Sequence, residues 1–136
     1  LNLALPPGRV LAYRRRALER VAREPGFRAG ETGIWCRPEI FSLVVWEEPA
    51  PAGPPDRAAA APGRDPERMA RLCTDLLRLA REEGGNVECI HGTGLKLLPL
   101  LPEELGAGLA VTRRLKAALD PQGLLNPGKW GEDPAG

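Results

Sequence analysis

The sequence predicts an α+β domain with the element order β-α-β-β-α-β, followed by an extra C-terminal helix and an irregular tail. Three observations carry that expectation. Two amphipathic stripes of helical period lie at residues 9–24 and 65–82. A run of strong β-formers, Phe41, Leu43, Val44, Val45 and Trp46, lies between them. Proline and glycine clusters separate these segments at the spacings that turns require. The chain has 136 residues, enough for one core and too few for two.

Leu1–Leu5 reads as the first strand, stopped by Pro6-Pro7-Gly8. The first helix runs from Arg9 to about Glu24, with Val10, Leu11, Ala17, Leu18 and Val21 inward and arginines outward. Pro25-Gly26 ends it. Gly33–Cys36 and Glu39–Trp46 read as two strands around Arg37-Pro38, a bend at a sheet edge. Residues 47–64 hold five prolines and a run of four alanines, and read as a solvated, variable loop. Asp65-Pro66 starts the second helix, with Asp as N-cap and Pro in the first turn. Met69, Leu72, Cys73, Leu76, Leu77 and Ala80 form its inner stripe, and Gly84-Gly85 ends it. Asn86–Ile90 is expected as the last strand. Glu103–Leu119 is expected as one third helix, with Leu105, Leu109, Leu115 and Leu119 inward. Asp120-Pro121 breaks it, and residues 120–136 form a Gly- and Pro-rich tail.

This order is that of a ferredoxin-like fold. Two helices on one face of such a sheet leave its other face open for a partner domain or a second copy of the chain.

Composition narrows the function. Hydrophobic residues make up 43% and charged residues 27%, as in ordinary globular domains. A net charge of +1 and 4% aromatic residues, with no RNA-binding aromatic cluster, argue against a nucleic-acid partner. No apolar run reaches the ~20 residues of a membrane span. Lys96, Lys116 and Lys129 are the only lysines against many arginines, which suggests a GC-rich, thermophilic source. Cys36, Cys73 and Cys89 match no zinc spacing and read as small apolar residues of a reducing cytoplasm. The chain opens on Leu1 rather than Met, as a processed domain or a piece of a longer protein does.

The single histidine, His91, precedes Gly92-Thr93-Gly94. Gly92 and Gly94 let backbone approach a ligand closely. A histidine there serves either as a general base and anion partner or as a structural hydrogen-bonding residue. Lys96 offers a nearby positive charge for an anionic substrate. Downstream, Asp120-Pro121 and Asn126-Pro127-Gly128 bracket Leu124-Leu125, and the Asn126 carboxamide both donates and accepts hydrogen bonds.

Residues 84–129 resemble the C-terminal end of FAD-linked oxidases of the vanillyl-alcohol-oxidase type, a group that includes D-lactate and glycolate dehydrogenases. The resemblance rests on Gly84-Gly85, His91-Gly92-Thr93-Gly94, Glu104-Leu105-Gly106, Lys116, Leu119-Asp120-Pro121, Gly123-Leu124-Leu125 and Asn126-Pro127-Gly128-Lys129. It implies that residues 1–136 form a substrate-side cap over a flavin bound mainly by a separate FAD-binding domain or subunit. It implies further that His91 faces the substrate, that Asn126, Gly92 and Gly94 lie at the flavin, and that the chain alone is inactive. The chain departs from the metal-dependent branch. Ile90 stands where that branch has a metal-binding Glu, and no upstream histidine pair exists, so no metal is expected. The competing reading is a non-catalytic binding or oligomerisation module.

Overall fold

A computed structural model describes residues 1–34, 37–48, 65–94 and 96–130. The expected 47–64 loop, apart from its first two residues, and Cys36 lie outside the described residues. The chain separates into two compact units, Leu1–Cys89 and a second from Ile90 onward.

The first unit holds strands β1 (Asn2–Ala4), β2 (Phe27–Ile34) and β3 (Ile40–Glu47) in one antiparallel sheet of order β1-β3-β2. Helices α1 (Val10–Ala22) and α2 (Pro66–Glu82) accompany it. A 3₁₀ turn over Pro7–Arg9 leads into α1. The helix buries Val10, Tyr13, Ala17 and Val21, steps of three and four residues that keep one face. The expected inward Leu11 is instead 75% exposed, because one residue past Val10 is a 100° rotation away from that face. Tyr13 takes its place and meets Phe41 edge-on, with ring centroids 5.8 Å apart.

In α2 the expected stripe holds: Leu72, Cys73, Leu76, Leu77 and Ala80 are buried. Asp65 Oδ1 accepts the backbone N–H groups of Glu67 and Arg68, at 3.0 and 3.1 Å. A cap of this kind contributes about 1 kcal/mol. At the other end, Gly84 N–H donates to the Arg81 carbonyl and Gly85 N–H to the Ala80 carbonyl, both at 2.8 Å. With Gly84 at φ +80°, this is a Schellman stop.

Arginines on and beside both helices tie the two together. Arg20 donates to Asp75 at 2.8 and 3.1 Å and to Glu24 at 3.2 Å. Arg68 donates to Glu24 at 2.9 Å and to the Pro25 carbonyl at 2.8 Å, with its guanidinium 5.1 Å from the Phe27 ring centroid. Arg16 donates to Glu82 and Glu83 at 2.5 and 2.7 Å. Arg9 Nε lies 3.0 Å from Glu83 Oε2 as an ion pair without hydrogen-bond alignment.

Two expected strands need correction. The strand placed at Gly33–Cys36 begins six residues earlier, directly after the turn at Gly26 (φ +83°). Its composition, Phe-Arg-Ala-Gly-Glu-Thr-Gly-Ile, is poor in β-formers. Pairing with β3 from Phe27↔Glu47 to Ile34↔Phe41, with a bulge between Glu31 and Gly33, makes it a strand. The strand expected at Asn86–Ile90 does not form, so the sheet has three strands among the described residues. Asn86 is the cause. Its backbone N–H donates to the Ala4 carbonyl at 3.0 Å, while its side-chain Oδ1 accepts the Ala4 N–H at 2.9 Å. A side chain thus takes the donor that a strand carbonyl would take, and regular pairing stops there. The segment still follows the edge of β1 as far as Cys89 N–H, which donates to the Asn2 carbonyl at 3.2 Å.

In the second unit, a 3₁₀ turn over Leu98–Leu100 leads into α3 (Leu101–Leu105) and then α4 (Ala107–Leu119). The single helix expected over Glu103–Leu119 is broken at Gly106, whose φ of +51° and ψ of −128° only glycine adopts readily. Of the four leucines expected inward, only Leu109 is buried. Leu105, Leu115 and Leu119 are 36%, 58% and 80% exposed. The buried apolar residues lie earlier, at Leu97, Leu100 and Leu101.

Candidate functional site

All five residues singled out from the sequence, His91, Gly92, Gly94, Lys96 and Asn126, belong to the second unit. His91, Gly92, Lys96 and Asn126 are exposed and Gly94 is half-buried. Gly92 and Gly94 both take positive φ, +71° and +53°. A Cβ built on either meets nothing within 4 Å, so the glycines are there for conformation and leave the loop surface open. The Leu97 N–H then donates to the Thr93 carbonyl at 3.3 Å, which winds one turn after the loop and carries Lys96 on it. His91 and Lys96 are therefore presented by one short loop.

Asn126 comes from the tail. It is the one non-glycine residue at positive φ among the described residues, at +50°. Asparagine tolerates this region better than most residues. What holds it there is a polar clamp that the sequence reading quoted but gave no role. Asp120 is buried and closes α4. Its carboxylate accepts the Leu124 N–H at 2.9 Å, the Leu125 N–H at 2.8 Å and the Lys116 ammonium. Lys116 also donates to the Leu125 carbonyl at 2.7 Å. The signal was present in the sequence: a Lys and an Asp four apart at a helix end, then Pro, then Gly three residues beyond the Asp.

Lys116 above all, and the Leu125 and Leu124 N–H groups with it, hold the Asp120 carboxyl below the usual carboxylate range. Arg16 does the same for Glu83, and Arg68 with Arg20 for Glu24. A carboxyl whose pKa is depressed by folding stabilises the fold above its unfolded value, about 3.9 for Asp and 4.3 for Glu, and loses that contribution as pH falls through the folded value. Melting temperature is therefore expected to stay level from pH 7 to about pH 5 and to fall below about pH 4. Glu83→Gln should flatten that acid limb, and an unchanged limb would contradict the role of the Arg16 pair.

Among the described residues, no group of three His, Cys, Asp or Glu is arranged to hold a metal ion. Burial, and secondarily Glu88, raises the Cys89 thiol pKa, so Cys89 is not an activated nucleophile. Cys73 is buried, as expected. A cleft of about 560 Å³ in the first unit, between Arg20, Arg68, Arg71, Thr74 and Asp75, includes none of the five site residues.

A flavin is a large, mostly planar group that a chain touches through backbone and carboxamide hydrogen bonds. The open glycine loop and the exposed Asn126 fit such an edge contact.

Residues 57–130, more than half of the chain, match the family described as FAD linked oxidases, C-terminal domain. An FAD-linked oxidoreductase of Mycobacterium tuberculosis is 41% identical over 66 residues, 48% of this chain and 14% of that protein. Glycolate oxidase subunit GlcD of Bacillus subtilis is 38% identical over 64 residues, 46% of this chain and 14% of that protein. A probable mitochondrial D-lactate dehydrogenase of Danio rerio is 41% identical over 69 residues, again 48% and 14%. The chain thus spans a small part of the length of each relative.

Proposed function

The chain belongs to the family of FAD-linked oxidase C-terminal domains, and from that premise we propose that it is the substrate-side cap of an FAD-dependent oxidoreductase acting on a 2-hydroxyacid such as glycolate or D-lactate. The observation that carries the reading is the exposed His91 on a loop with two positive-φ glycines, within the segment shared with the family. The names of two relatives, a glycolate oxidase subunit and a D-lactate dehydrogenase, support the substrate class.

In this reading residues 1–136 act as one cap, and a separate domain or subunit binds most of the FAD. Gly92, Gly94 and Asn126 are the contacts this chain offers the flavin. The flavin supplies a hydride acceptor. His91 would take the proton from the substrate hydroxyl, the step that has to accompany oxidation of the alcohol to a carbonyl. Lys96 attracts the substrate carboxylate. Residues 86–89, hydrogen-bonded along β1, take the place of a fourth strand, and the first unit is ferredoxin-like in plan. Val44 and Trp46, 47% and 43% exposed, are the apolar surface this sheet offers a partner.

The test is the intact mass and flavin absorbance of the native polypeptide, followed by anaerobic titration with glycolate and D-lactate. A yellow protein much larger than 14.7 kDa, bleached by a 2-hydroxyacid, is expected. A colourless protein that gains no flavin chemistry from any flavin subunit would overturn the reading in favour of a non-catalytic binding or oligomerisation module.

A further inference from the structure

The tail is fastened to α4 in an inverted way. Its leucines point outward, with Leu124 72% and Leu125 63% exposed. Its ions are inside, with the Lys116 and Asp120 side chains only 15% and 6% exposed. Burying the leucines would remove more apolar surface from water, and enclosing an ion pair carries a desolvation cost that offsets much of its attraction.

The bonds of this ion pair converge on the Leu125 backbone. The Leu125 N–H donates to Asp120 at 2.8 Å, and the Leu125 carbonyl accepts from Lys116 at 2.7 Å. That carbonyl belongs to the peptide plane shared with Asn126. Beyond Asn126 the chain is tied back again: Lys129 N–H donates to the Asn126 carbonyl at 3.4 Å, and Arg113 Nε donates to the Trp130 carbonyl at 3.0 Å. Asn126 is therefore held from both sides in a left-handed backbone conformation (φ +50°) that asparagine tolerates and that these bonds fix in place.

We infer that Lys116 and Asp120 are positioning residues for Asn126: their ion pair, by fixing the peptide before it, sets the direction in which the Asn126 carboxamide meets the flavin. The inference rests on the flavin-side reading of Asn126 given above. It assigns Lys116 and Asp120 no contact with flavin or substrate. Their effect passes through the Leu125 peptide.

The experiment uses the complete flavoprotein with Lys116→Met, Asp120→Asn, Lys116→Arg and Asn126→Ala, read by hydrogen exchange of the 121–130 peptide and by the flavin absorbance spectrum. Lys116→Met and Asp120→Asn are expected to speed exchange at Leu124 and Leu125 by about tenfold or more and to shift the flavin bands as Asn126→Ala does. Lys116→Arg, which keeps the charge, should restore both. Faster exchange with an unchanged flavin spectrum, while Asn126→Ala does shift it, would reduce the pair to a structural role and overturn the inference. Unchanged exchange would also overturn it. A silent Asn126→Ala would instead overturn the flavin-side reading of Asn126, and the positioning role would fall with it. If Asp120→Asn fails to fold, Lys116→Met against Lys116→Arg decides the question.

Discussion

Replacing His91 with alanine in the complete flavoprotein is expected to lower turnover by about 10²–10⁴-fold, the range that one positioned general base supplies. Folding should be spared. His91 is exposed, it follows the last residue of the first compact unit by two positions, and it is absent from the buried core. Because its side chain is exposed, shortening it opens no cavity in the core. Steady-state turnover with the preferred 2-hydroxyacid, alongside circular dichroism and flavin content, separates chemistry from folding. Turnover within a factor of two of wild type would remove His91 from the catalytic machinery. Loss of turnover together with loss of flavin would point to a role in assembly instead.

Gly85→Ala should cost roughly 3 kcal/mol, the upper end of what overpacking commonly costs. A Cβ at Gly85 would sit 2.6 Å from the Ala4 carbonyl oxygen, 2.6 Å from Leu5 Cδ2 and 3.0 Å from the Ala80 carbonyl oxygen. Two of those three are backbone atoms, one on β1 and one in the last turn of α2, so no side-chain rotation relieves the clash. Helix and strand would have to separate, and the hydrogen bonds from Gly85 to Ala80 and from Asn86 to Ala4 would stretch with them. Gly84, one residue earlier, has a different need. It takes φ +80°, and a Cβ there meets nothing nearer than Pro6 Cγ at 3.5 Å. Asparagine, which tolerates positive φ, should therefore be accepted at Gly84 and rejected at Gly85. Thermal melting of the two asparagine variants and of Gly85→Ala tests this. A Gly85→Ala protein that melts within a degree of wild type would show that the strand and helix can part at little cost.

Elements with strong local signals were readable from the sequence. The cap at Asp65-Pro66, the stripe from Leu72 to Ala80 and the stop at Gly84-Gly85 all stand where periodicity and turn chemistry place them. Elements that depend on a neighbour were not. The residues of β2 have little intrinsic preference for a strand, and only β3 alongside makes them one. Asn86–Ile90 has the opposite history: a plausible strand is diverted because the Asn86 carboxamide competes with backbone for the Ala4 N–H. In the candidate site, the loop glycines were picked out from the sequence for close backbone approach to a ligand, and the structure adds that both take positive φ. The Lys116–Asp120 clamp escaped notice as a device. Its bonds run from side chains to the Leu124 and Leu125 backbone, which a pattern of residue types does not display.

The outward row on α4 has a practical side. Val111, Leu115 and Leu119 follow one another at four-residue steps, 56%, 58% and 80% exposed, with Leu124 and Leu125 close by in sequence. A net charge of +1 gives the chain almost no long-range self-repulsion. An oily ridge on a nearly neutral particle is a recipe for poor colloidal behaviour. Expressed by itself, the chain would crowd into assemblies as its concentration rose, and raising the salt would hasten this by screening what little repulsion remains.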